Sequence, residues 1–379
     1  GDIFMKFMMK KNFLTVMMMC AVVFLGCEKE QEKTITVASE KLPKICLVSE
    51  KLGIDDKSFN AATWQGILDF YGDTWENPSK RGTYYDYVLC QSSNEFVSAL
   101  KNASKKGYDL IILNGYSFAA ALSEVASLYP DQKYMIADVD TVNLPNVMEC
   151  VFTEEQGSFL VGVAAAMQAK TEGVQNPKFG FIGGVPGVVI TKFEMGYIQG
   201  LRSVIPNAEI VDYYAHDWGN PGLAKAKSKE WFDNGVYAIF SAAGGTGNGT
   251  IEQAKEYRMQ GKNVWAIGVD SDQYDDGIYE GRKSAVLTSM VKRVENSTRY
   301  ALKAIQTGTF KGGVVRLRLE DNGVSASIAN PDLGTEILTG LKKATSAIIS
   351  GEIQVESTYA GALAKGLVPN NLGAKDKDE

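Results

Sequence analysis

The 379-residue chain is long enough for roughly two domains, and its 45% hydrophobic and 22% charged residues exclude a disordered chain. A net charge of −6, a sequence pI near 5.2 and the lack of a basic stripe exclude nucleic acid as an expected partner. The single histidine, His216, excludes His-rich zinc sites and leaves one candidate for His-dependent catalysis.

Lys6, Lys10 and Lys11 precede an apolar core over 13–25. That core is too short to span a bilayer and has the shape of an export signal. Gly26 and Cys27, followed by a polar run over 28–33, resemble a bacterial lipobox, although Phe24 and Leu25 replace the usual Leu and small residue. The reading is lipidation at Cys27, with 28–43 as a tether that holds the protein to the membrane surface without a spanning helix. Ordinary cleavage or an uncleaved anchor is the alternative. Of five cysteines, Cys20 lies in the signal, and Cys46, Cys90 and Cys150 sit in apolar runs without a CxxC pair. Buried free thiols are expected.

From Lys44 the pattern alternates. Apolar runs over 44–50, 84–90, 109–115 and 133–140 predict strands, and helix-period segments over 58–70, 95–105 and 118–128 separate them. Such alternation predicts βαβ units and a parallel sheet. A further strand-like run over 146–155 leads into an Ala-rich helix over 157–170, and the alternation restarts. Strands are predicted over 178–184, 209–215, 238–244 and 264–269, with helices over 192–204, 223–234 and 250–259. Two α/β halves of similar size result, one before about Cys150 and one after. The late runs 285–291, 314–320 and 324–328 and the helices over 298–305 and 335–350 are candidates for additional crossings between them.

In open α/β sheets, ligands bind beyond the carboxyl ends of the strands. The predicted strands end at Glu50, at Asp138, near Trp218, at Gly244, at Asp270 and at Lys292. Any one of these alone reads as a solvated loop residue. Together they suit a neutral polyhydroxylated or heteroaromatic ligand, because carboxylates accept from hydroxyl or ring N–H groups, lysine donates, and aromatic faces stack.

The glycine turn over 244–249 permits positive φ and close backbone approach ahead of a helix. It is not a GxGxxG fingerprint, since Thr250 takes the last glycine position, and there is no GxxxxGK loop. The acidic run 270–276 fails as a calcium loop, with Asp275 at the glycine position and Gly281 at the terminal glutamate position. It resembles the calcium motif of nucleoside hydrolases but has one residue too few between Asp272 and Asp275, so no metal is expected. Asp55 and Asp56 are placed to cap the first helix, and Phe59 on its first turn either stacks on a ligand or packs. His216 and Asp217 lack a GxSxG elbow, so no catalytic triad is expected.

IDDKSFN after the first strand, NVMECVFTEEQGSFLVGVAAAM, KFGFIGG with KFEMGYIQG, and AAGGTGNG…VWAIGVDSDQ…VLTSMVKRV together resemble the basic membrane protein family. Its members are substrate-binding lipoproteins of ABC importers, including purine nucleoside receptors. The resemblance covers about 44–355. It implies a type I periplasmic-binding-protein fold: two Rossmann-like α/β lobes with parallel sheets, three crossing segments and a ligand cleft between the lobes. The lobes are expected over 44–150 with about 286–312, and over 151–285 with about 313–356, leaving 357–379 as a tail.

Carried over by motif, the resemblance implies that Phe59 stacks on the base, with Trp218 where a second stacking Phe is usual. It implies that Asp138 binds the purine edge, that Asp270 and Lys292 bind the ribose, and that Gly244 and Gly245 offer backbone contact. Glu50 replaces the usual Asp, and its extra methylene shifts the carboxylate. The implied protein is a monomeric, non-enzymatic receptor in the bacterial cell envelope, without a cofactor, that passes a purine nucleoside to an ABC permease. The competing readings are an exported nucleoside hydrolase-like enzyme and the same receptor fold with another ligand such as a flavin.

Overall fold

The structure, a computed structural model, describes residues 41–373. The export segment with Cys27 and the charged run 375–379 lie outside the described residues. The first half runs β1 (Ile45–Glu50), α1 (Phe59–Tyr71), β2 (Tyr85–Cys90), α2 (Phe96–Ser104), β3 (Leu110–Asn114), α3 (Ala119–Leu128), β4 (Tyr134–Ala137) and β5 (Val147–Phe152). The second begins with α4 (Glu154–Thr171), β6 (Lys178–Gly183), α5 (Val188–Val204), β7 (Glu209–Tyr214), α6 (Pro221–Asp233), β8 (Val236–Ala242), α7 (Asn248–Met259) and β9 (Trp265–Asp270). A small hairpin follows, β10 (Ile278–Glu280) and β11 (Lys283–Ser284), then β12 (Val286–Lys292), α8 (Val294–Gln306), β13 (Gly313–Leu317), β14 (Val324–Ala326), α9 (Thr335–Ile349) and α10 (Tyr359–Ala364).

Two six-stranded sheets organise the lobes, in the orders β13-β5-β4-β3-β1-β2 and β14-β12-β9-β8-β6-β7. Every pairing within them is parallel except β12 with β14. Strands β3, β4, β5, β8, β9 and β12 are buried along their whole length. Helices cover both faces of such a sheet, so its strands read as continuous apolar runs rather than alternating ones. On one face of the first sheet α1 buries Trp64, Ile67 and Leu68 beside Ala301 and Leu302 of α8. Each fully buried side chain of this size contributes about 1.5–3 kcal/mol. Cys46, Cys90 and Cys150 are buried free thiols.

The chain passes between lobes three times, from β5 to α4, from β12 to α8 and from β13 to β14. These crossings correct the expected lobe limits. β5 pairs with β4, so the first lobe extends through Phe152. β12 pairs with β9 and belongs to the second lobe, whereas β13 pairs with β5 and belongs to the first. An apolar run shows that a strand is buried but not which sheet it joins; pairing partners decide that. The stretch 357–373 is not a tail. Tyr359, Ala362, Val368 and Leu372 are buried in the second lobe's core.

The α4–α5 contact is unusually close. A Cβ on Gly196 would lie 2.1 Å from the Glu155 carbonyl oxygen, and one on Gly200 would lie 2.0 Å from that of Phe159. Side chains at these points of α5 would force the helices apart.

Candidate functional site

The carboxyl ends of both sheets face a cleft between the lobes. The empty space there, counted together with the solvent at its mouth, amounts to about 710 Å³. About 80 Å³ of it is open to the centre of a water molecule, several times what one water needs (about 10–15 Å³). Glu50, Phe59, Asp138, Trp218, Gly244, Gly245, Asp270 and Lys292 all line it. The structure therefore brings the eight residues named as ligand-binding candidates to one place.

Each arrives for a local reason. Asp138 directly follows β4 and Asp270 closes β9, both with left-handed backbones, at φ 68° and φ 64°. Non-glycine residues in this region cost energy and persist where the surroundings over-determine them. Here the cost turns two carboxylates off their strand axes into the cleft. Gly244 also has a left-handed φ of 54°. A Cβ on Gly245 would stand 2.3 Å from Leu52 of the opposite lobe, so the glycine permits that approach. Trp218 lies against Gly184, where a Cβ would be 2.1 Å from the indole ring. Across the cleft it meets Tyr116 edge-on at 6.2 Å, and the Tyr116 hydroxyl donates to the Val185 carbonyl at 2.7 Å.

Asp56 plays the capping role expected of it. Its carboxylate accepts from the backbone N–H groups of Ser58, Asn60 and Ala61 at 2.9, 2.8 and 3.0 Å. This fixes the start of α1 and with it Phe59 and Ser58. The Ser58 hydroxyl donates to Asp270 at 2.5 Å, from one lobe to the other. Burial pushes the Asp270 carboxyl up to about 7, against the pull of Lys292 and Ser58, and Asp138 and Asp56 add to the rise.

The Lys292 ammonium lies 2.5 Å from Asp138 and 2.9 Å from Glu154. Phe59 and Phe152 face it with centroids at 4.9 Å, and Phe193 at 5.4 Å. Burial disfavours this ammonium, yet Asp138, Glu154 and Asp270 outweigh burial and hold its pKa above the ordinary lysine range. Burial also pushes Asp138 up, against Lys292, with Glu154 adding to the rise. Glu154 lies below the ordinary range, because Lys292 and Lys192 overcome its burial. The Glu50 carboxyl is raised by burial, opposed by a hydrogen bond to Ser117 and by Lys51.

Sequence reasoning missed Glu154, Asn114, Tyr116 and Phe193. Asn114 ends β3, so the strand-end rule that found the others could have found it. Glu154 opens α4 and Phe193 lies within α5, and only tertiary packing aims them at Lys292. In the run 270–276, Asp272 accepts from the Tyr274 N–H at 3.1 Å, and Asp276 pairs with Lys57 of the first lobe at 2.8 Å. Among the described residues no three His, Cys, Asp or Glu side chains cluster in a metal-holding geometry. Asp217 pairs with Lys51 at 2.7 Å, so it is not available to orient His216.

Two α/β lobes, three crossings and a cleft at the strand ends are the architecture of solute-binding proteins of the periplasmic type. Residues 46–359 match the family described as Bmp, ABC transporter substrate-binding protein PnrA-like, and the chain belongs to that family. A Lactococcus lactis subsp. cremoris protein named ABC transporter nucleoside-binding protein BmpA is 30% identical over 362 residues, spanning 92% of this chain and 100% of its own. The CD4+ T-cell-stimulating antigen of Listeria monocytogenes serovar 1/2a is 33% identical over 338 residues, spanning 87% of this chain and 92% of its own. A solved ABC transporter solute-binding protein of Aeropyrum pernix K1 superposes with a TM-score of 0.73 at 25% identity, covering 86% of this chain and 97% of that one. The family implies a small-molecule ligand and a membrane permease as partner. Its members are binding proteins rather than enzymes and act outside the cytoplasm. Among the described residues no helix is long and apolar enough to cross a membrane.

Proposed function

We propose that the protein captures a purine nucleoside between its lobes and delivers it to an ABC permease, held to the membrane by a lipid on Cys27. The observation that carries the reading is the joint placement of Asp138, Asp270, Phe59 and Trp218 around one cavity. Two buried carboxylates offer acceptors to a ribose and to a base edge, and two aromatic side chains offer faces to a ring. The Lactococcus relative's name points to the same ligand class. Capture operates by closure: a ligand that touches both lobes favours the conformation in which both sets of contacts are made. The wrong ligand leaves a buried carboxylate unpaired, at a cost of about 1–3 kcal/mol.

Calorimetric titration with inosine, adenosine and guanosine tests this. Saturable one-to-one binding of at least one is expected, and heats no larger than dilution for all three refute it. The protein acts without cleaving its ligand. Incubation with inosine is expected to return intact nucleoside, and release of free base would support the hydrolase reading instead. Mass spectrometry of protein purified from its own host tests the lipid on Cys27.

A further inference from the structure

We propose that Glu154 is a positioning residue for ligand capture: it serves as the permanent counter-ion of Lys292, so that Asp138 can leave the lysine for a donor on the ligand. The inference rests on the nucleoside-binding reading above and adds a residue outside the cavity wall.

Four charges alternate through the floor of the cleft. Asp138 lies 2.5 Å from Lys292, Lys292 lies 2.9 Å from Glu154, and Glu154 lies 3.3 Å from Lys192. The two carboxylates are not equivalent. Both Glu154 oxygens are engaged by ammonium groups, its side chain is 1% exposed, and it does not line the cavity. Asp138 lines the cavity, is 8% exposed and has Lys292 as its ion-pair partner. A ligand donor can therefore reach Asp138 but not Glu154.

If Asp138 were the lysine's sole counter-ion, ligand capture would leave a buried ammonium unpaired, which is strongly unfavourable. With Glu154 in place the ammonium keeps one full ion pair throughout the exchange. The aromatic rings of Phe59, Phe152 and Phe193 confine it meanwhile. Position in the chain adds to the effect. Glu154 opens α4 just after the first crossing, and Lys292 ends β12 just before the second. Their bond ties two of the three inter-lobe connections at the floor of the cleft.

The charged and titratable groups facing Asp138 are Lys292, Glu154 and Lys192, with Asp270, Tyr116 and Cys150 farther around it. Glu154 raises the Asp138 pKa, so neutralising Glu154 should move the Asp138 titration to lower pH. The test compares wild type, E154Q and E154D by calorimetry with inosine. Carbon-13 NMR titration of the aspartate carboxyls in ligand-free protein accompanies it, with D138N for assignment. E154Q is expected to bind inosine at least about tenfold more weakly and to titrate Asp138 at lower pH. E154D, which keeps the charge, is expected to recover most of the affinity. Wild-type affinity in E154Q, or an unmoved Asp138 titration, overturns the proposal, as does an E154D protein no better than E154Q. If E154Q does not fold, the Asp138 titration in E154D decides, since a retracted carboxylate must also lower it. If wild type binds no purine nucleoside, the functional reading falls, while the ligand-free titration still tests the shared counter-ion.

Discussion

In the first lobe the strand ends on the cleft carry Glu50, Asn114 and Asp138, whereas in the second they lead to Trp218, Gly244, Asp270 and Lys292. The strand orders correspond position by position, with a strand from a late crossing at one edge of each sheet. The shared topology supplies the cleft, and the unlike residues supply the chemistry. At these strand ends the first lobe offers mainly acceptors, and the second offers an aromatic face, a glycine backbone, an acid and a lysine. A ligand satisfied by one lobe alone would give no reason to close. One that needs both makes closure part of binding.

Breaking the link between the lobes should have the largest effect. Lys292→Met leaves Asp138 and Glu154 as buried carboxylates facing each other. A loss of about 3–5 kcal/mol in unfolding free energy is expected from urea melts near neutral pH. Asp138→Ala keeps Lys292 paired with Glu154, so it should unfold much closer to wild type. It should nonetheless lose about 1–3 kcal/mol of nucleoside affinity by calorimetry. If both variants lose stability equally, the asymmetry between the two carboxylates is wrong.

Asp270 tests the second lobe's acid. Burial raises its carboxyl to about 7 in the folded protein, above the ordinary carboxyl range of the unfolded chain. Its contribution to ligand-free stability is therefore fully present below that range and is lost as pH rises through about 7. Asp270→Asn should flatten this slope in urea melts across pH 4.5–8. A ligand that donates to the ionised carboxylate gains in the opposite direction. Inosine should bind wild type about tenfold more tightly at pH 8 than at pH 6, and the Asn variant should show little of this dependence.

Trp218→Ala removes the indole that the second lobe presents to the cavity while leaving the carboxylates intact. It should weaken nucleoside binding by about 0.5–1.5 kcal/mol with little change in its pH profile. The smallest effect is expected at the rim. Lys57 pairs with Asp276 across the lobes at 2.8 Å, but its side chain is 59% exposed. Lys57→Ala should change stability by no more than about 1 kcal/mol, and less as salt rises.

Within α5, Gly196→Ala would place a methyl 2.1 Å from the Glu155 carbonyl oxygen. Overpacking of this kind typically costs about 1–3 kcal/mol, and a thermal melt of the ligand-free protein reads it directly.

The sequence alone determined the alternation of strands and helices, because fully covered parallel strands must be apolar along their length. It also located the cleft residues. A strand end is a local feature, and in this architecture the carboxyl ends gather at the ligand. Thus Glu50, Asp138, Asp270 and Lys292 could be named before their mutual distances were known. Only the tertiary structure decided which sheet β12 and β13 join, since hydrogen-bond partners between distant strands leave no trace in local composition. It also decided that 357–373 is packed into the second lobe. Above all it decided the partners of Lys292. The direction of a side chain depends on backbone twist and on what packs behind it, neither of which a strand end reveals. The start of α4 places Glu154 behind Lys292, and the left-handed turn at Asp138 aims that carboxylate from the opposite lobe.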